Sequence, residues 1–167
     1  MMKSTIVITT LLAACLLSMH GSTYAQDATG SGTLTVSGTG STYEFQVTWC
    51  DLGATQGPDG PTLSGTGTTE AGGFTVTVDR TTFNDMTNHE VSVFMHDGGG
   101  SLSSSRVKMG SGWMASSGIV QDPLIQIEGQ RVRATGEFED ESGELVGEGT
   151  LEAECNRPIE LARQEAS

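Results

Sequence analysis

Apolar and polar residues alternate one by one along most of the chain. The clearest run extends from Tyr43 to Trp49, where every second residue is a large apolar one. Because successive side chains of a β-strand point to opposite faces, this period of two predicts strands with one apolar and one polar face. The same pattern recurs in segments centred on Leu34, Val76, Val93, Val107, Ile125, Val132 and Ala153. It predicts an all-β domain of about seven to nine antiparallel strands.

Two all-β architectures fit this pattern of strands. Two sheets packed face to face give an antiparallel β-sandwich, which the number and spacing of the strands favour. A small β-barrel is the alternative, because closing one sheet on itself also removes its edges. The segments Asp97–Gly100 and Asp140–Gly143 predict hairpin turns, and Trp113–Gly118 predicts a short helical turn.

The first 25 residues have the features of a secretory signal peptide. Lys3 supplies a positive charge, and an uncharged apolar run follows from Ile6 to Met19. That run is shorter than the roughly 20 residues needed to span a bilayer, and small residues precede a cleavage site after Ala25. We therefore expect residues 1–25 to be removed on export, leaving a domain at 26–157 and a C-terminal tail at 158–167. The predicted location is secreted or periplasmic.

A lipid anchor through Cys15 is the alternative form of export. Leu12-Ala13-Ala14-Cys15 matches the pattern of a bacterial lipoprotein signal, in which the acylated cysteine becomes the first residue. Acyl chains would then hold the domain at the cell envelope without a transmembrane segment. The apolar run continues past Cys15 to Met19, which favours soluble export, and both forms stay open.

The remaining two cysteines predict one disulfide bond. Cys50 and Cys155 form an even pair in an exported chain, where thiols are oxidised. Cys155 shares the parity of apolar Leu151, whereas Cys50 directly follows apolar Trp49 and so has the opposite parity. Either Cys50 lies beyond the end of its strand or a β-bulge shifts the register there.

The charge balance limits the possible partners. The chain has 21 acidic and 8 basic residues and a formal net charge of −13. Binding to nucleic acid is excluded because it requires a basic surface, and anionic lipid head groups are disfavoured for the same reason. An acidic hairpin offers a weak calcium site, since Ca²⁺ prefers oxygen ligands; its members are Glu137, Glu139, Asp140, Glu141 and Glu144. The alternative is a solvated acidic edge that prevents strand aggregation.

No catalytic motif stands out in the sequence. The mature part has two histidines, His89 and His96, which we expect to be exposed, and the serines lack a nucleophile elbow. Met86, His89, Met95 and His96 are of the types that bind copper, but copper binding is disfavoured because Met95 and His96 are adjacent and point to opposite faces. Phe94 has the outward parity, which indicates either a contact patch or a strand buried on both sides.

The order of the strands and cysteines resembles the LpqH-type mycobacterial lipoprotein antigens. An early strand, Phe45–Cys50, ends in a cysteine, and a closing strand, Thr150–Cys155, does the same after the strand that begins at Arg131. This resemblance implies a surface β-sandwich with one disulfide, lipid anchoring through Cys15 and no established enzymatic activity.

These observations favour a non-enzymatic binding or structural module of the envelope or the exterior. Its partner would be a protein or a small ligand, and no cofactor is expected apart from the weak calcium candidate. The alternative is a small metal-dependent or hydrolytic enzyme whose site is assembled from residues scattered along the sequence.

Overall fold

The computed structural model describes residues 30–52 and 62–156 as a single antiparallel sheet of eleven strands. The strands are β1 Gly30–Val36, β2 Ser41–Cys50, β3 Leu63–Thr69, β4 Gly72–Phe83, β5 Met86–Met95, β6 Ser101–Met109, β7 Gly112–Ala115, β8 Gly118–Val120, β9 Ile125–Glu128, β10 Arg131–Asp140 and β11 Leu145–Cys155. The predicted signal peptide 1–25, Cys15 and the tail 158–167 lie outside the described residues. The all-β prediction is confirmed.

The sheet closes into an eight-stranded barrel. Strands β1 to β6 pair in sequence order, β11 pairs with β1 and β10 with β11, and a β6–β10 pairing completes the ring. Strands β7, β8 and β9 lie outside this ring. The expectation of a β-sandwich was therefore wrong, and the alternative of a small barrel was right. Alternation alone does not distinguish the two, because both bury one face of every strand.

Glycines that face aromatic rings make the tight curvature possible. A side chain on Gly32 would collide with the ring of Phe45, and one on Gly67 would collide with Phe74. The rings fill the interior while the backbone opposite them approaches without a Cβ atom. Because large and small inward residues alternate, a single sheet can coil tightly enough to enclose the core by itself. A β-sandwich would need two sheets to do so.

The core contains the inward residues of all eight barrel strands. Phe45, Phe74 and Phe138 are its largest fully buried side chains, with valines and leucines between them. Leu34, Val76, Val93, Val132 and Leu151 are buried, as the alternating pattern predicted. The run at Val107 is an exception, because Val107 is only partly buried and Met109 is exposed.

A β-bulge resolves the position of Cys50. The register between β2 and β3 shifts between Val47 and Trp49, so Cys50 joins the buried face and pairs with Leu63. Cys50 and Cys155 are bonded, with their Cα atoms 6.3 Å apart. Both the predicted disulfide and the bulge alternative are confirmed. The bond links β2 to β11 beside the first residue of β1, since Gly30 pairs with Cys155.

The turns define two ends of the barrel. The connections β1–β2, β3–β4, β5–β6 and β10–β11 lie at what we call the upper end. The entry to β1, the β4–β5 turn and the exit from β11 lie at the lower end. The expected helical turn at Trp113–Gly118 was wrong, because Trp113 lies in β7, which forms a hairpin with β8. None of the described segments forms a helix long and apolar enough to span a membrane.

The seam between β6 and β10 is short. Only Glu139–Ser103 and Asp140–Leu102 pair across it. Below these pairs the two strands diverge, and the segment that contains Asp122 and Ile125 lies between them. Side chains of β5 and β6 form hydrogen bonds to this segment and to β10. Arg106 donates to the carbonyls of Asp122 and Thr135 at 2.9 Å each, and the Ile125 amide donates to Nδ1 of His89 at 3.2 Å.

Candidate functional site

A broad depression covers the outer side of five adjacent strands, β3, β2, β1, β11 and β10. Its volume is about 850 Å³. We call it the concave face; the side chains that line it are Ser31, Thr33, Glu44, Gln46, Thr66, Thr68, Arg131, Arg133, Glu152 and Glu154. Because neighbouring strands lie about 4.8 Å apart, five strands give it a width of roughly 20 Å.

The depression lies directly over the inward glycines. Gly32 and Gly67 contribute backbone to its floor, together with Phe45 and Ala153, whose side chains are buried beneath it. At Gly32 the backbone dips toward the ring of Phe45, since no Cβ holds it away. The same residues that tighten the barrel inside thus shape a hollow outside.

The side chains of the concave face are arranged in two cross-strand rows. In one row Glu44 pairs with Thr33, Thr33 with Glu152, and Glu152 with Arg133. In the other, the pairs run from Thr66 through Gln46, Ser31 and Glu154 to Arg131. The rows offer hydroxyl, amide, carboxylate and guanidinium groups at regular spacing, so the face presents both donors and acceptors.

Ion pairs on this face are loose. Nε of Arg133 lies 3.5 Å from Glu152, and its Nη1 lies 3.8 Å from Glu128, with about half of the Arg133 side chain exposed. Exposed pairs of this kind contribute about 0–1 kcal/mol each. Arg133 can therefore exchange these carboxylates for groups of a ligand at little cost.

A second, smaller cavity of about 300 Å³ opens at the upper end of the barrel. Tyr43, Met95 and Leu102 form its apolar floor, and Asp140 and Glu141 lie at its rim. The mouth of a barrel is a common place for a small ligand. Its volume is at the low end of the range for ligand pockets, so the concave face offers more contact area.

The acidic hairpin serves as a turn. Oδ1 of Asp140 accepts hydrogen bonds from the Ser142 hydroxyl at 2.6 Å and from the amides of Ser142 and Glu144. These bonds, the one from the Ser142 hydroxyl first, lower the pKa of Asp140. The hairpin predicted at Asp140–Gly143 is thus confirmed. Within residues 30–52 and 62–156, no three His, Cys, Asp or Glu side chains converge as metal ligands, Glu137, Glu139, Glu141 and Glu144 included.

The two histidines differ from each other in their surroundings. His96 is exposed, as predicted, with Nε2 2.8 Å from the Thr75 hydroxyl. His89 was wrongly expected at the surface: it is only 7% exposed, and its ring lies 4.3 Å from that of Trp113. Its parity matches that of buried Val91, and this signal was available in the sequence. Burial first, and then the charges of Arg80, Arg106 and Lys108, lower its pKa to about 4.

The other candidate ligands stay apart. Met86 lies at the lower tip of the β4–β5 hairpin, whereas Met95 and His96 lie at the upper end, so no copper set forms from them with His89. Phe94 is 60% exposed, which confirms its outward parity and excludes a strand buried on both faces. The concave face itself was missed from the sequence, although the inward glycines at positions 32, 65 and 67 were visible there.

Comparison of the chain with protein families, with curated proteins and with solved structures found no match.

Proposed function

We propose that this chain is an exported, non-enzymatic binding module that holds an extended, hydrophilic ligand on its concave face. The observation that carries the proposal is the 850 Å³ depression, whose lining side chains are nearly all polar. Its floor buries Phe45 and Ala153 beneath backbone, so it offers little apolar surface to a ligand. A hydroxyl-rich chain such as a polysaccharide matches these donors and acceptors better than an apolar molecule does.

The arrangement of charge also favours a hydrophilic ligand. The concave face carries three carboxylates, Glu44, Glu152 and Glu154, and two guanidinium groups, Arg131 and Arg133. A ligand of one charge sign would meet repulsion from part of the face, whereas a neutral or mixed-charge chain would not. The predicted export places such a module where envelope glycans occur.

An NMR titration tests the proposal. Soluble glycan chains from bacterial cell wall are added to the ¹⁵N-labelled exported protein, and amide shifts are followed. We expect the shifts to concentrate on β1, β2, β3, β10 and β11. Combining Gln46→Ala with Arg133→Gln removes hydrogen-bonding groups from both rows and should weaken binding about tenfold. Ser105→Ala, an exposed hydroxyl outside the concave face, is the matched control and should leave the affinity unchanged.

Other outcomes would reject the proposal. Shifts confined to Tyr43, Met95 and Leu102 would place the site in the barrel mouth. Cleavage of the glycan would favour the alternative of a hydrolytic enzyme with a dispersed site. Absence of any shift would mean that the concave face does not bind this class of ligand.

A further inference from the structure

Large apolar side chains lie exposed at the lower end of the barrel. Phe83 is 72% exposed and Ile119 68%, and Met86, Met109 and Met114 are also exposed. Together with Val107 they form what we call the lower apolar face, made up of Phe83, Met86, Val107, Met109, Met114 and Ile119. Exposed apolar residues clustered in this way mark an interaction surface more often than scattered ones do.

The strand register makes this face continuous. Phe83 and Met86 are direct cross-strand partners on β4 and β5. Val107 of β6 pairs with Met114 of β7, which in turn pairs with Ile119 of β8. Directly paired residues on one face have Cβ atoms about 5 Å apart, so their side chains touch or nearly touch.

Met109 links the two groups. It has the same parity as Val107 on β6 and therefore points to the same side. The β5–β6 register pairs Asn88 with Val107, and continuing it by two residues brings Met109 beside Met86. The face thus extends from the tip of the β4–β5 hairpin across to β8.

The Phe83–Met86 end of this face extends beyond the described pairing of β3 with β4. Pairing of β3 with β4 ends at Leu63–Val78, whereas β4 and β5 stay paired as far as Phe83–Met86. The turn beyond them, Asn84–Asp85, has positive φ at both residues, the conformation of a tight two-residue hairpin. Protruding apolar tips suit a soft layer that they can enter, such as the interfacial region of a bilayer.

The distribution of charge favours the same orientation. The cations of the described residues all lie in the lower halves of their strands: Arg80, Arg106, Lys108, Arg131 and Arg133. Carboxylates lie there as well, with Asp85 in the turn between Phe83 and Met86 and Asp79 paired with Glu90 on the same two strands, so the lower end is less acidic than the upper end but not basic. The upper loops instead carry Glu70, Asp97, Glu141 and Glu144. The net charge of −13 and the carboxylate of Asp85 at the hairpin tip oppose approach to anionic lipid, so the face suits a zwitterionic lipid surface. With the lower end toward a membrane, the acidic upper loops are the farthest from it.

The position of the chain ends agrees with this orientation. Gly30 begins β1 and pairs with Cys155 at the end of β11, both at the lower end. Residues 1–29 and 157–167 therefore join the barrel at the end that carries the exposed apolar tips. Acyl chains on Cys15 would hold this same end toward a membrane.

We propose that the lower apolar face docks on the surface of a lipid bilayer, with Phe83 and Ile119 among the side chains that enter the interfacial region. The strands of this face lie on the wall of the barrel opposite β1, which is the middle strand of the concave face. Docking therefore leaves the concave face open to solution. This interaction is independent of what the concave face binds.

Vesicle sedimentation tests the proposal. The exported protein carries Cys15→Ser in every sample, so that acyl chains contribute nothing. We expect it to bind vesicles of the zwitterionic lipids phosphatidylethanolamine and phosphatidylcholine. Combining Phe83→Ser with Ile119→Ser should lower the partition coefficient about tenfold or more, because two apolar side chains lose their transfer into lipid. The matched control combines Phe94→Ser with Leu145→Ser, which removes apolar side chains of similar exposure from the upper end. It should leave the partition coefficient unchanged.

A tryptophan fluorescence measurement keeps the test valid if the serine variant folds poorly. Phe83→Trp should be quenched by brominated lipids relative to the parent protein, whereas Phe94→Trp should not. Equal losses in both serine variants, no vesicle binding by the parent, or quenching at position 94 alone would overturn the proposal. A parent dimer that the Phe83 and Ile119 substitutions convert to monomer, without vesicle binding, would assign the face to a second copy and also overturn it.

Discussion

His89 shows how one inward position can link stability to pH. It occupies the register position below Val91 and accepts a hydrogen bond from the Ile125 amide, which requires an unprotonated Nδ1. The neighbouring cations Arg80, Arg106 and Lys108 oppose a further positive charge. The neutral imidazole is therefore part of the bonding that fills the gap below the β6–β10 seam.

We predict that acid destabilises the barrel through this residue. Above pH 6.5 the imidazole is neutral in both the folded and the unfolded chain, so it adds no pH dependence. Between pH 6.5 and about 4 the unfolded chain binds a proton that the folded chain does not, so the free energy of unfolding falls, by roughly 3 kcal/mol in all. Below pH 4 both states are protonated and the loss is complete.

Urea denaturation across this pH range measures the effect. His89→Asn should be less stable at neutral pH yet show a smaller decline between pH 6.5 and 4 than the parent. His96→Asn removes an exposed histidine and should decline as the parent does. An unchanged slope in His89→Asn would contradict the assignment.

At the scale of elements, the strands were predictable and their closure was not. The alternation around Phe45, Val76 and Val93 located the strands correctly because burial of one face imposes a period of two. The helical turn at Trp113–Gly118 was wrong because short, Gly-rich hairpins such as β7–β8 lack enough residues to show that period. The concave face depends on curvature around Gly32 and on pairs between distant strands, which no local pattern records.

The disulfide fastens the lower ends of β2 and β11 on either side of β1. Its two cysteines are 105 residues apart, and closing so long a loop should stabilise the folded state by about 4–5 kcal/mol. We expect reduction to lower the free energy of unfolding by this order and to speed hydrogen exchange near Ser31 and Thr33. Combining Cys50→Ala with Cys155→Ala should reproduce the loss and then be insensitive to reductant. A parent whose unfolding is unaffected by reductant would refute this role.

At the scale of the whole molecule, charged side chains are distributed unevenly around an apolar core. None of the described Asp or Glu residues is buried, and the acidic upper loops carry no cation among the described residues. Their mutual repulsion is balanced by burial of the core and is weakened by salt. The net charge was readable from composition, whereas its separation toward the two ends required the strand directions.

We therefore predict that NaCl raises the melting temperature by a few degrees, equivalent to roughly 1 kcal/mol. Combining Glu141→Gln with Glu144→Gln should raise the melting temperature at low salt and reduce the gain from NaCl. Replacing NaCl by CaCl₂ at equal ionic strength separates screening from binding, since an additional rise that the same substitutions abolish would assign calcium to the acidic hairpin. A melting temperature independent of NaCl would contradict the repulsion.

The closure of the barrel also determines the order in which it can fold. The pairings β1–β11 and β6–β10 join strands that are distant along the chain, whereas the five ladders from β1 to β6 are hairpins between consecutive strands. Local hairpins form first, because distant pairings must overcome loop-closure entropy before they gain any contact. A newly synthesised chain would thus pass through an open, curved sheet with its apolar side uncovered and two edges free to pair with other chains. Oxidation of Cys50 with Cys155 fastens β11 to the sheet and favours closure, so slower disulfide formation should increase the fraction of the protein that aggregates.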